Sequence, residues 1–153
     1  MIHEGTHGIQ ALDLLGRKVR LQGGRAMALL GERMGQTLES AAQCPELIAY
    51  CVALENAWKD LRDATEAAWR DGDPTRALAN AVPYMQAFGH TVLAWVWLDV
   101  ACAAQQLPDS PAREGRLAAA RYFFHYELPK TPAWLAVVGH QDMTCADLSE
   151  EAF

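Results

Sequence analysis

Apolar residues return every three or four positions along most of this chain, the spacing that lays one stripe along an α-helix. Ile9, Leu12, Leu15 and Val19 do so over a first helix from about Gly8 to Leu21, which Gln22-Gly23-Gly24 ends. A second helix is expected from Arg25 to about Gln43 on Met27, Leu30, Met34 and Leu38, with Gly31 and Gly35 on a thin strip that a neighbour can approach closely. Pro45 suits the first turn of a third helix, carried by Leu47, Cys51, Leu54, Trp58, Leu61, Thr65 and Trp69 to the stop at Asp71-Gly72. Asp73-Pro74 starts a fourth that runs to about Gln106, with a kink expected at Pro83. Ser110-Pro111 starts a fifth, bent by Pro129 and Pro132 before Trp134 to Val138, and Gln141 to Phe153 reads as a docked or partly disordered tail. The expected fold is all-α: an antiparallel four-helix bundle over 25–43, 46–70, 74–106 and 111–138, preceded by one N-terminal helix that looks like an appendage.

Composition strengthens that reading. The chain's 27 Ala and 18 Leu stand against 8 Val and 3 Ile, and β-branched side chains are the ones that lose rotamer freedom in a helix. A length of 153 residues suffices for one domain with a real core. The net charge of -6, with no basic block, argues against nucleic acid as a partner. Thr91 to Leu98, the longest strongly apolar run, ends at Asp99, so no membrane span is expected, and no secretory leader is read at the front, so a cytoplasmic location is expected. Cys44, Cys51, Cys102 and Cys145 have no spacing that suggests a disulfide framework or a zinc site, and read as reduced thiols packed among helices.

The chemistry sits at the front, in Ile2-His3-Glu4-Gly5-Thr6-His7-Gly8-Ile9-Gln10, followed by Asp13, Gly16 and Arg17-Lys18. This stretch resembles the catalytic segment of the acyl-CoA dehydrogenases, in which an aromatic residue, Glu-Gly-Thr, two variable positions and Ile-Gln lead into the last long helix of the dehydrogenase core; His3 takes the aromatic place. Val82-Pro83-Tyr84, Phe88-Gly89, Ala120 to Phe124 and Leu128-Pro129 resemble the additional C-terminal helical domain of the longer members of that family. The resemblance divides the chain into 1–22, the catalytic segment and last core helix, and 23–153, the additional helical domain.

What it implies is an FAD-dependent α,β-dehydrogenation of an acyl-CoA thioester in fatty acid metabolism, with electrons passing to an acceptor flavoprotein. Glu4 is implied as the base that takes the α-proton, a role that desolvation suits by raising a carboxyl pKa toward neutrality. Gly5 is implied to let the acyl chain approach the backbone, and Thr6, His7 and Gly8 to lie against the FAD. Only three residues precede Glu4, so the chain is expected to be the C-terminal portion of such an enzyme, from a truncated frame or a split gene, and inactive alone. The first helix, separated from that core, is expected to pair with a second copy in a homodimer.

Two other classes compete. His3-Glu4-Gly5-Thr6-His7 spells the H-E-x-x-H signature of zinc hydrolases, but that chemistry needs a stable helix and a third ligand, and the motif begins at the third residue with Gly and Thr at its centre. A non-catalytic oligomerisation or docking module is the other, with Trp58, Trp69, Trp95, Trp97 and Trp134 as candidate anchors, although tryptophans at helical spacing are first of all core. Tyr84 and Tyr126 are expected at core edges, and His90, His125 and His140 as ordinary histidines without a shared ligand spacing.

Overall fold

The computed structural model describes residues 6–152. They form seven α-helices, with no strand among the described residues: α1 (His7–Gly16), α2 (Arg25–Ala41), α3 (Ile48–Ala68), α4 (Pro74–Leu78), α5 (Ala81–Gln105), α6 (Pro111–Tyr122) and α7 (Thr131–Gly139).

Bonds between the helices fix their directions. Thr65, near the end of α3, meets the Tyr84 hydroxyl near the start of α5 at 2.7 Å, and Arg113, near the start of α6, donates to the Ala104 carbonyl near the end of α5 at 3.1 Å. Gln141, just after α7, donates to the Ala68 carbonyl at the end of α3 at 2.9 Å, while Trp95 of α5 donates its indole N–H to the Thr37 hydroxyl of α2 at 2.8 Å. α5 therefore runs against α3 and against the α6–α7 path, and the all-α bundle expected from the sequence is present. α5 touches α1, α2, α3, α6 and α7, and its inward face explains how. Ala87, Ala94 and Ala101 recur at seven-residue intervals and are fully buried, so neighbouring helices pack closely on methyl groups.

By length and composition α5 would also cross a membrane, with a mean hydropathy of 1.4 in its most apolar stretch and one third of that stretch buried. The run ending at Asp99 understated it, since no Asp, Glu, Lys or Arg occurs between Ala81 and Leu98. Here it is the central helix of the bundle.

Three expectations need correction. α1 is no appendage: Ala11 and Leu15 are fully buried with Leu61, Tyr84, Leu135 and Val138, while Ile9 and Leu12 point outward. A stripe of large side chains alone omits Ala11, and counting it turns the buried face by about one residue. The bend expected at Pro83 lies earlier, at Ala79-Asn80, where Asn80 leaves helical geometry at φ -115°, ψ 33°. Pro83 is the third residue of α5, where its missing N–H would have no intrahelical partner in any case. Tyr126 is not at a core edge but 65% exposed, whereas Tyr84 is completely buried.

The two prolines late in the chain act as expected. Pro129 and Pro132 remove the donors that the carbonyls four residues before them would use. The path answers with a π-helical turn over Phe123–Glu127 and a 3-10 turn over Leu128–Lys130, and the Thr131 hydroxyl donates to the Leu128 carbonyl at 2.9 Å. Beyond α7, the described tail to Ala152 is turn-rich and tied back where Asn80 donates to the Asp142 carbonyl at 2.7 Å.

Candidate functional site

Glu4 and Gly5 lie outside the described residues; Thr6, His7 and Gly8 open α1 and are exposed. Thr6 is the N-cap, makes no side-chain cap bond, and accepts the Gln10 N–H at 2.8 Å through its carbonyl. The turn is held from behind. Arg17 donates twice to Asp13, at 2.6 and 3.1 Å, and with Lys18 at 3.2 Å holds the Asp13 carboxyl below the usual carboxylate range. Trp69, the residue that caps the end of α3, donates its indole N–H to the Leu15 carbonyl at 3.2 Å, and the Arg20 guanidinium covers that indole at 3.8 Å. A firmly seated helix thus presents Thr6, His7 and Gly8 outward. Among the described residues no three His, Cys, Asp or Glu side chains converge as a metal set, His7 included.

Sequence spacing missed three groupings that the fold creates. One is a cleft of about 940 Å³ between the Lys18–Arg20 turn, α2 and α3, walled by Trp58 and Trp69 and rimmed by Arg20, Glu32, Arg62 and Glu66. Gly31 helps to shape it, because a Cβ there would stand 3.2 Å from the Trp58 indole. The close approach expected at this glycine is therefore to a side chain, and nothing lies within 4 Å of a Cβ at Gly35. A second grouping centres on Glu127, in the π-helical turn, whose carboxylate accepts from Lys130 at 2.7 Å and Tyr122 at 3.3 Å and meets the His90 ring at 3.4 Å. Lys130 foremost, then His90, holds that carboxyl below its ordinary range. The third joins Cys44, Cys51 and Cys102 in one packed cluster. The bond to Glu46 pushes up the Cys44 thiol, and burial pushes up Cys51 and Cys102, so all three stay protonated.

Residues 30–149, from within α2 to beyond α7, match a family model described as acetyl-CoA dehydrogenase C-terminal like. The chain belongs to that family. The acyl-CoA dehydrogenase C-terminal match takes in the Trp58 wall, the Glu127 cluster and the cysteines, and starts after Thr6, His7 and Gly8. Among curated proteins the chain is similar to a 3-methylmercaptopropionyl-CoA dehydrogenase of Ruegeria pomeroyi, 35% identical over 97 residues. That stretch is 61% of this chain and 16% of the relative, so the chain spans a small part of the relative's length. Among the later motif residues, Tyr84 anchors α5 to α3 through Thr65, and Phe123 and Phe124 are buried in the π-helical turn.

Proposed function

We propose that this chain is the C-terminal helical portion of an FAD-dependent acyl-CoA dehydrogenase acting on an acyl-CoA thioester, with Glu4 as the base, and that it is inactive alone. The family match over residues 30–149 carries the reading, and the dehydrogenase named for the Ruegeria relative supports it. Thr6, His7 and Gly8, the described residues implied to meet FAD, occupy one exposed helical turn. None of them lines the cleft beside Trp58 and Trp69. One open turn offers a few N–H groups but no walls for a flavin ring, so these residues do not fit the group by themselves. The remaining walls belong to the rest of a dehydrogenase. Work in fatty acid metabolism and electron delivery to an acceptor flavoprotein belong to the same reading, and a cytoplasmic location is proposed beside it.

Titrating FAD and an acyl-CoA into the purified chain is the first test; no flavin is retained and no dehydrogenation occurs, and a yellow protein overturns the inactivity. The second joins the chain behind the dehydrogenase portion that the relative carries outside the matched stretch. The joined protein dehydrogenates an acyl-CoA, and Glu4→Gln lowers kcat by roughly 10²- to 10⁴-fold. Full activity with Glu4→Gln rejects the role of Glu4. We propose further that the chain pairs with a second copy.

A further inference from the structure

We infer that the cleft between the Lys18–Arg20 turn, α2 and α3 binds a nucleoside phosphate, with its base on the Trp58 indole and its phosphate held by Arg20 and Arg62. This goes beyond the dehydrogenase reading, since none of Thr6, His7 and Gly8 lines the cleft. A volume of about 940 Å³ is at the upper end for small-molecule sites, enough for a base, a sugar and phosphates together. Its charges are unspent. Arg20, Glu32, Arg62 and Glu66 all face it, yet among the described residues none of the four has an ion pair. Arg62 and Glu66 stand one turn apart on α3, the spacing and order at which Lys59 and Asp63 of the same helix do pair.

The lining selects among ligands. An acyl chain needs unbroken apolar walls, and here Val19, Met27 and Ala28 share the cleft with the four charged side chains. A bare anion is repelled by Glu32 and Glu66, and a bare cation by Arg20 and Arg62. Nor are the rings open as a cage for a cation, because the Arg20 guanidinium already lies over Trp69 at 3.8 Å. A nucleoside phosphate uses every group. Trp58 approaches Gly31 by its Nε1 edge and offers its ring for a base to stack on. The Arg20 guanidinium stacks by its face and keeps its N–H edge for phosphate oxygens, and Arg62 supplies a second fork of donors. Glu32 and Glu66 accept from the base amine and the ribose hydroxyls, donors that a bare phosphate lacks.

Calorimetric titration of ADP, GDP, coenzyme A and inorganic phosphate into the purified chain tests this. ADP or GDP is expected to bind with a Kd of the order of 100 µM, at least about tenfold more tightly than inorganic phosphate, and to quench tryptophan emission as its base stacks. Trp58→Leu raises that Kd by roughly 5- to 100-fold, and Arg62→Gln by about tenfold. Glu32→Gln combined with Glu66→Gln narrows the preference over inorganic phosphate at least about fivefold, which a merely structural role of these exposed carboxylates does not do. Should Trp58→Leu fail to fold, Arg62→Gln decides by itself, because Arg62 is exposed. Binding of coenzyme A where neither free diphosphate binds assigns the cleft to the nucleotide end of that coenzyme. No binding of ADP, GDP or coenzyme A up to about 2 mM, or binding indifferent to Trp58 and Arg62, overturns the site.

Discussion

Tyr84 is fully buried and hydrogen-bonded to Thr65, and burial pushes its hydroxyl up to about 12. The folded chain thus holds this proton more tightly than the unfolded chain, whose tyrosine titrates near pH 10. The contribution is complete below pH 10 and disappears as pH climbs from about 10 to about 12, because unfolding then releases the proton. Chemical denaturation at a series of pH values shows this loss in the native chain. Tyr84→Phe flattens it over that range, and costs about 1 kcal/mol at neutral pH for the missing bond.

Two glycines of α2 provide a second comparison at this scale. Gly35→Ala gains about 1 kcal/mol of helix propensity with nothing in the way, whereas Gly31→Ala gains less because Trp58 must give by a few tenths of an ångström. Equal gains in thermal denaturation contradict the contact with Trp58. From the sequence, the pair reads as one thin strip. Only the position of α3 tells them apart, and that is a property of the folded chain.

At the scale of elements, helix ends written in local chemistry were legible. Asp73 accepts the Thr75 N–H at 2.9 Å and Ser110 the Arg113 N–H at 3.2 Å, each ahead of a proline at the first turn. What sequence could not supply was how the backbone answers prolines inside a helical path. Pro83 does nothing because the break at Asn80 precedes it, while Pro129 and Pro132 convert a whole segment to π and 3-10 turns. That conversion takes the usual donor four residues on from the Leu128 carbonyl, which accepts the Thr131 backbone N–H in the 3-10 turn and, as a second donor, the buried Thr131 hydroxyl. Thr131→Val keeps the shape and removes the second donor, at an expected cost of about 1 kcal/mol in denaturant unfolding, and Thr131→Ser retains most of the bond. Equal stability of the valine and serine variants contradicts this account.

For the whole molecule, the all-α class followed from periodicity and the excess of alanine, but the place of α1 did not. A stripe of large residues suggested one face, and close packing selected another that includes Ala11. Leu15→Ala is expected to destabilise the chain by about 2–5 kcal/mol through the cavity it opens, and Leu12→Gln by less than about 0.5. Equal effects in denaturant unfolding contradict the seat described for α1. The candidate site was legible only as a resemblance of residues 2–10, since the clustering of His90 with Glu127 and of the three cysteines depends on pairs 37 or more residues apart or on separate helices.

The bond from Trp69 to the Leu15 carbonyl has an optical consequence. Its indole is clamped between a backbone oxygen of α1 and the guanidinium of Arg20, so its emission senses whether the N-terminal helix is home. A chain keeping Trp69 and carrying phenylalanine at the other four tryptophans would report the seating of α1 without any attached dye, and would register a dehydrogenase partner drawing on that helix as a colour change.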